Sequence, residues 1–209
     1  MKIIGGWLSP YASRVLIAAK FKDIDLEIES PGQAPRSPEL LAVNPIGKIP
    51  VLVDGPVVLP ESSVIVDYLE ERFPLPTLFP GDAAQRANVR LLPRLMDNYA
   101  APSFGPFLAG DQAAIATAIE RIDSALGYVD HFRIDGEFAS SNAFSAADCA
   151  LIPFFQVIER LQDGFGTFDL VRKRPRLEAW WSRTRASAIG AFARERIDEA
   201  ITQRLAASR

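Results

Sequence analysis

Cysteine occurs once, as Cys149, and histidine once, as His131, in a chain of 209 residues. A lone cysteine excludes an internal disulfide, and with it a small secreted scaffold held by disulfides. One cysteine and one histidine cannot assemble a zinc site of the usual kind. No Asp-rich loop suggests calcium or magnesium either, so no metal is expected. His131 lies in the second half of the sequence, away from the N-terminal serines, so a Ser–His hydrolase mechanism has no obvious base. The patterns G-x-x-x-x-G-K-[ST] and G-x-S-x-G are absent, and the Gly5-Gly6 pair is no dinucleotide fingerprint. Long apolar runs are missing as well. None approaches the roughly 18 residues of a membrane span. The start, MKIIGGWLSPYASR, has neither a long apolar segment nor a small-residue cleavage site. No membrane span or signal peptide is expected, and the cytoplasm is the default location. An excess of positive charge is also lacking. The net charge is -3 and the sequence pI about 5.3, which disfavours general nucleic-acid binding.

What is present is an ordinary globular composition, 48% hydrophobic and 23% charged, with enough apolar material for one large domain or two small ones. The first part alternates short strands and helices. Residues 2–7 (KIIGGW) read as a strand, and 11–21 (YASRVLIAAKF) as a helix with Val15, Ala18 and Ala19 on one face. Residues 25–29 (DLEIE) alternate as a half-buried strand does. A Pro- and Gly-rich loop follows, with one short helix at 37–42. Residues 49–53 and 56–59 read as strands joined by Asp54-Gly55, a strong hairpin signal. Residues 62–72 read as a helix with Val64, Ile65, Tyr68 and Leu69 inward. This order calls for a mixed sheet covered by helices. FPLPTLFPGD, with Pro74, Pro76 and Pro80, suits a linker. Beyond it the pattern is helical at 83–100 (with a kink at Pro93), 111–133, 146–160, 176–186 and about 188–206. The expected fold is therefore α/β followed by all-α, divided into domains at 1–76 and 82–209.

Three stretches carry chemistry. SPYASRV (9–15) is a helix start. Ser9 is a favoured N-cap and Pro10 suits the first helical position, so Ser9 has a structural role before any chemical one. NPIGKIPVLVDG (44–55) puts Ile49-Pro50 at the front of a strand, where a proline removes one ladder donor. PESSVIVDYLEERFP (60–74) sets Glu61-Ser62 at a helix N-terminus, whose free N–H groups and dipole favour an anion. Other features have plain structural readings. The basic run VRKRPR is a solvated helix face, Trp180-Trp181 is core packing, Cys149 is a buried small residue, and Arg14 is structural.

In order and spacing, SPYASRV, NPIGKIPVL and ESSVIVDYLEE resemble the glutathione S-transferases. FSAADCALIPFF (144–155) is similar to that family's S-x-x-D capping box with its hydrophobic staple. The likeness is to the serine-using branches, such as the tau and zeta classes and their bacterial relatives. It implies a thioredoxin-like N-terminal domain, a helical C-terminal domain, glutathione as co-substrate without a metal, and a homodimer. Ser9 falls where such enzymes keep the hydroxyl that faces the glutathione sulfur. Ile49, before a presumed cis-Pro50, would pair with the cysteinyl backbone. Glu61 and Ser62 would hold the γ-glutamyl end, and Lys48 and Arg36 the glycyl carboxylate. Gly47 is a departure, since tau-like members often carry a second lysine there. The resemblance further implies an apolar second substrate. Leu8, Tyr11, Tyr99, Phe104 and Phe107 would line its pocket, and ordinary packing is the competing reading for each aromatic. The absence of cysteine from the first half excludes the mixed-disulfide chemistry of members with cysteine at position 9. Alternatives to the transferase are a zeta-type glutathione-dependent isomerase and a non-catalytic ligand-binding or regulatory relative. A detoxifying transferase is the leading expectation.

Overall fold

A computed structural model describes residues 1–30, 36–165 and 169–207. Its first compact unit is built from Met1–Leu78. Strand β1 (Lys2–Ile4) leads into α1 (Pro10–Phe21), β2 (Glu27–Glu29), α2 (Pro38–Val43), β3 (Val51–Asp54), β4 (Val57–Pro60) and α3 (Ser62–Arg72). The four strands order as β2-β1-β3-β4. β1 runs parallel to β2 and antiparallel to β3, which pairs antiparallel with β4. This is the mixed sheet of a thioredoxin-like domain. Its core gathers Ile3, Ile4, Val51 and Leu52 from the strands, Val15, Ile17 and Ala18 from α1, and Ile65 and Leu69 from α3. All three residues of β2 are exposed, so the expected half-buried strand at 25–29 is an exposed edge strand in its last three residues. The strand expected from 49 starts at Val51, which leaves Ile49 outside the described ladder.

The second unit, Phe79–Ser187, has only helices as regular elements among its described residues: α4 (Ala83–Leu95), α5 (Gly105–Ala109), α6 (Gln112–Phe132), α7 (Ala146–Phe165) and α8 (Pro175–Ala186). The single helix expected at 83–100 breaks after Leu95 into a π turn, Met96–Ala100. Pro93 inside α4 accounts for the break, because its missing N–H disrupts the regular i→i−4 ladder. Asp148, in the S-x-x-D stretch, accepts the Ser145 N–H at 3.1 Å and the Ser145 hydroxyl at 2.9 Å. It also takes the Ala139 N–H at 2.8 Å and Trp180 Nε1–H at 3.1 Å. Trp180 and Trp181 are buried, packed against Phe155.

The last helix, α9 (Ala188–Ala207), groups with the first unit, not with the second domain where the sequence reading put it. Phe192 supplies the reason. Its ring meets Trp7 edge-on at 5.7 Å, and Lys20 lies over it at 5.3 Å.

Candidate functional site

The three sequence stretches meet inside the first unit. Gly5, just after β1, is the junction. A Cβ there would lie 3.2 Å from Ala12 Cβ, in the first turn of α1, and 3.7 Å from both Ile49 Cβ and Pro50 Cα. The absence of a side chain at position 5 lets SPYASRV and NPIGKIPVL approach this closely. The third stretch is tied in by a buried hydrogen bond, in which Arg14 Nη1 of α1 donates to Ser62 Oγ of α3 at 3.1 Å.

Ser9 caps α1 as its residue type foretells. Its Oγ accepts the Ala12 N–H at a long 3.3 Å, which leaves the hydroxyl proton uncommitted, and the residue is half-buried. Ser13 differs in both respects. It is 0% exposed, and its hydroxyl donates to the Trp7 carbonyl at 2.9 Å. Of the two hydroxyls in the motif, Ser9 has the accessible one.

The Ile49–Pro50 peptide bond is cis. The turn before it is fixed by Asn44, a buried residue that the sequence reading passed over. Its side-chain amide donates to the Lys48 carbonyl at 2.8 Å, and its oxygen accepts the Ile46 N–H at 3.1 Å. The available signal was Asn44-Pro45, since Asn bonds its own backbone two residues on and favours turns. Lys48 is exposed and Pro50 buried. Arg36 adopts φ +59° and donates to the Ile46 carbonyl at 3.2 Å. It also lies over Gly47, with Arg36 Cγ 3.0 Å from the place a Cβ would take. The departure at position 47 thus has a cause, for the arginine occupies the space a side chain there would need.

Glu61 stands at the head of α3 with φ +68° and makes no side-chain capping bond. Such a backbone is costly outside glycine and tends to cluster at functional sites. Ser62 is 5% exposed. Arg14, read from sequence as structural, is 2% exposed and stacks its guanidinium 5.5 Å from the Tyr11 ring. A charged residue amid ASRVLIAA, an otherwise apolar helical run, was the hint that it must be buried against something polar.

The residues expected to line a second-substrate pocket divide between the units. Leu8, 50% exposed, and Tyr11, half-buried, belong to the first. In the second unit, Phe104 and Phe107 are buried and Phe104 stacks on Phe154 at 5.9 Å, so both take part in core packing. Tyr99 is 53% exposed. It meets Tyr128 edge-on at 5.4 Å, and the two rings line a groove of about 460 Å³ with Asn98, Thr117 and Arg121. The basic run at 171–176 is bound up internally. Lys173 and Arg174 each reach Asp123 at 2.7 Å, and Arg176 reaches Asp135 at 2.9 Å.

Comparison with known proteins adds to this geometry. The family model described as glutathione S-transferase, N-terminal domain, matches residues 6–77, and the corresponding C-terminal domain model matches residues 100–181. A probable glutathione S-transferase of Oryza sativa subsp. japonica is 30% identical over 202 residues, covering 90% of this chain and 85% of that protein. Among solved structures, a Tau class glutathione S-transferase from mango, Mangifera indica, is similar with TM-score 0.80 and 25% identity, covering 97% of each chain. The holo structure of maleyl pyruvate isomerase, a bacterial glutathione S-transferase of the Zeta class, gives TM-score 0.79 at 25% identity, covering 92% of this chain and 96% of that one.

Proposed function

The chain belongs to the glutathione S-transferase family, and from that premise we propose that it activates the thiol of glutathione through the Ser9 hydroxyl for attack on an apolar electrophile. One observation carries the choice of residue. Ser9 keeps an accessible hydroxyl with its proton uncommitted at the start of α1, while Ser13 is buried and bonded to Trp7.

The magnitudes suffice. A free thiol has a pKa near ~8.5, so only a few per cent is thiolate at neutral pH. Lowering it by about two units requires roughly 2.7 kcal/mol of preference for the anion. One hydrogen bond to a charged group supplies about 1.5–3 kcal/mol, and a helix N-terminus adds about 0.3–1 kcal/mol. No general base is needed.

Glutathione is an extended tripeptide with a carboxylate at each end. In this reading the Ile49 backbone pairs with its cysteinyl residue. Lys48 and Arg36 meet the glycyl carboxylate, and Glu61 with Ser62 holds the γ-glutamyl end. Leu8 and Tyr11 are the side chains the first unit offers to the apolar substrate. A homodimer in the cytoplasm completes the proposal. Exposed apolar side chains on both units, Val58 and Val64 in the first and Tyr128 and Phe132 in the second, support the dimer. Among the described residues no helix is long and apolar enough to cross a membrane.

The test is turnover of a general aryl-halide acceptor. Ser9→Ala is expected to lower it by roughly 10- to 100-fold, the equivalent of one charged hydrogen bond. Absence of glutathione binding at millimolar concentration would end the proposal. A second reading, glutathione-dependent isomerisation, is favoured by the likeness to the bacterial Zeta-class isomerase. It predicts turnover of a small cis-dicarboxylate without consumption of glutathione, and inertness toward aryl halides.

A further inference from the structure

Ser9 sits at the end of a turn that holds itself only weakly. Its backbone N–H closes the turn on the Gly6 carbonyl at 3.1 Å, and the Ala12 N–H reaches its Oγ only at a long 3.3 Å. Within the turn Gly6 has no side chain to pack, and Leu8 is exposed. Trp7 is the turn residue that packs, and it is held at two points. Its carbonyl accepts the Ser13 hydroxyl of α1 at 2.9 Å. Its ring meets that of Phe192 in α9 at 5.7 Å and 80°, the edge-to-face arrangement that aromatic pairs prefer. Phe192 is itself braced. Lys20 of α1 lies 5.3 Å and Arg196 of α9 lies 5.6 Å from the centroid of its ring, and a cation over an aromatic face is attracted to it. The last helix is thus fastened both to α1 and to the turn that carries Ser9.

We propose that Phe192 is a positioning residue for Ser9: it holds the Trp7 ring, and Trp7 holds the turn that aims the Ser9 hydroxyl at the glutathione sulfur. This rests on the reading of Ser9 as thiolate donor given above. A hydrogen bond weakens steeply as its angle and distance leave the favoured range. A turn that is free to shift therefore keeps its hydroxyl but stabilises the thiolate less, and a small misplacement at the reacting centre costs rate. Phe192 acts through Trp7 and not on the sulfur itself. In this account α9 has a task in the chemistry, beyond covering α1.

The experiment follows the thiolate absorbance of glutathione, bound at saturation, against pH, with turnover of the aryl-halide acceptor measured alongside. Native protein, Phe192→Ala, Phe192→Leu, Phe192→Tyr, Ser9→Ala and the Ser9→Ala/Phe192→Ala double variant are compared. Phe192→Ala is expected to raise the bound thiol pKa toward its free value and to lower turnover by roughly two- to tenfold, the fold-change equivalent of one edge-to-face aromatic pair. The KM for glutathione should change little. Phe192→Leu keeps apolar bulk without the ring and should be impaired in the same way, whereas Phe192→Tyr keeps the ring and should restore native behaviour. In the Ser9→Ala background Phe192→Ala should add nothing, because its whole effect passes through Ser9. A ring that only packs would lower stability in urea and leave the thiol pKa where it was. An unchanged thiol pKa in Phe192→Ala, an equal loss from it with and without Ser9, or Phe192→Tyr no better than Phe192→Leu would each overturn the inference. If Phe192→Ala does not fold, Phe192→Leu takes its place in the same comparisons. A native complex without a lowered thiol pKa, or a pKa that stays low in Ser9→Ala, would instead overturn the underlying reading of Ser9, and this inference with it.

Discussion

Position 47 illustrates how one residue's conformation reallocates a charge. Gly47 has φ +69°, and a Cβ there would stand 3.0 Å from both Arg36 Cγ and Leu41 Cδ2. A side chain is excluded by backbone and by space at once. Gly47→Ala should therefore destabilise the fold by about 1–2 kcal/mol for the left-handed backbone alone, and it should weaken glutathione binding by displacing Arg36. Urea denaturation and a binding titration read the two effects. Asn44→Ala removes two hydrogen bonds from a buried side chain. A loss of about 1–3 kcal/mol is expected, together with a raised KM for glutathione as the turn before Ile49 loosens. None of this follows from sequence alone. The residue types around Ile49 announced a turn, but only the folded chain reveals that Arg36 fills the place of a side chain at 47. Arg14 keeps its structural reading, yet its partner could not be read in advance. A charged residue one turn into an apolar helix is legible as unusual, but its partner Ser62 lies on another helix.

Among the elements, α1 and α3 are clamped by a second buried cation. Lys22, just past the end of α1, donates to the carbonyls of Phe73 at 2.6 Å and Pro76 at 2.9 Å. It also pairs with Glu70 at 2.6 Å, its own side chain fully buried. Lys22→Met would leave Glu70 without its charge partner, and a loss of about 3–5 kcal/mol is expected in urea denaturation. In the second unit, Asp148 ties α7 to the preceding loop and to α8. Burial pushes its carboxyl up to about 6, against the pull of the Ala139 and Trp180 N–H groups and of Ser145. The unfolded value is near ~3.9. Between about pH 4 and 6 the folded state holds more protons, so this group's contribution to stability falls as pH rises through that window. Asp148→Asn cannot titrate there. The stability of the native protein minus that of Asp148→Asn should decline from pH 4 to 6 and then level off, whereas a flat difference would contradict the assignment. Helices and strands with a clear period were legible in advance, as was the S-x-x-D box. The short helical pieces at 101–109 were not, because Pro102, Gly105 and Pro106 interrupt any helical period there. The packing of α9 was also hidden. Phe192 finds its partner Trp7 at the opposite end of the chain, a contact that no local pattern encodes.

For the molecule as a whole, the order of motifs made the fold readable. A mixed sheet with helices, followed by helices alone, left few alternatives, and the structure has that form. What sequence could not give was convergence. Gly5, Ala12, Ile49 and Pro50 meet around one missing side chain, and Arg14 reaches Ser62. Assembly is open to a simple check, since light scattering should return about twice the 22.9 kDa chain mass for the proposed homodimer. The central claim concerns Ser9, and it is tested most directly by titrating the thiolate absorbance of enzyme-bound glutathione against pH, in native protein and in Ser9→Ala. The native complex should show a thiol pKa about two units below the free value of ~8.5, and Ser9→Ala should return most of that shift. A bound thiol whose pKa stays low in Ser9→Ala would contradict the role assigned to Ser9.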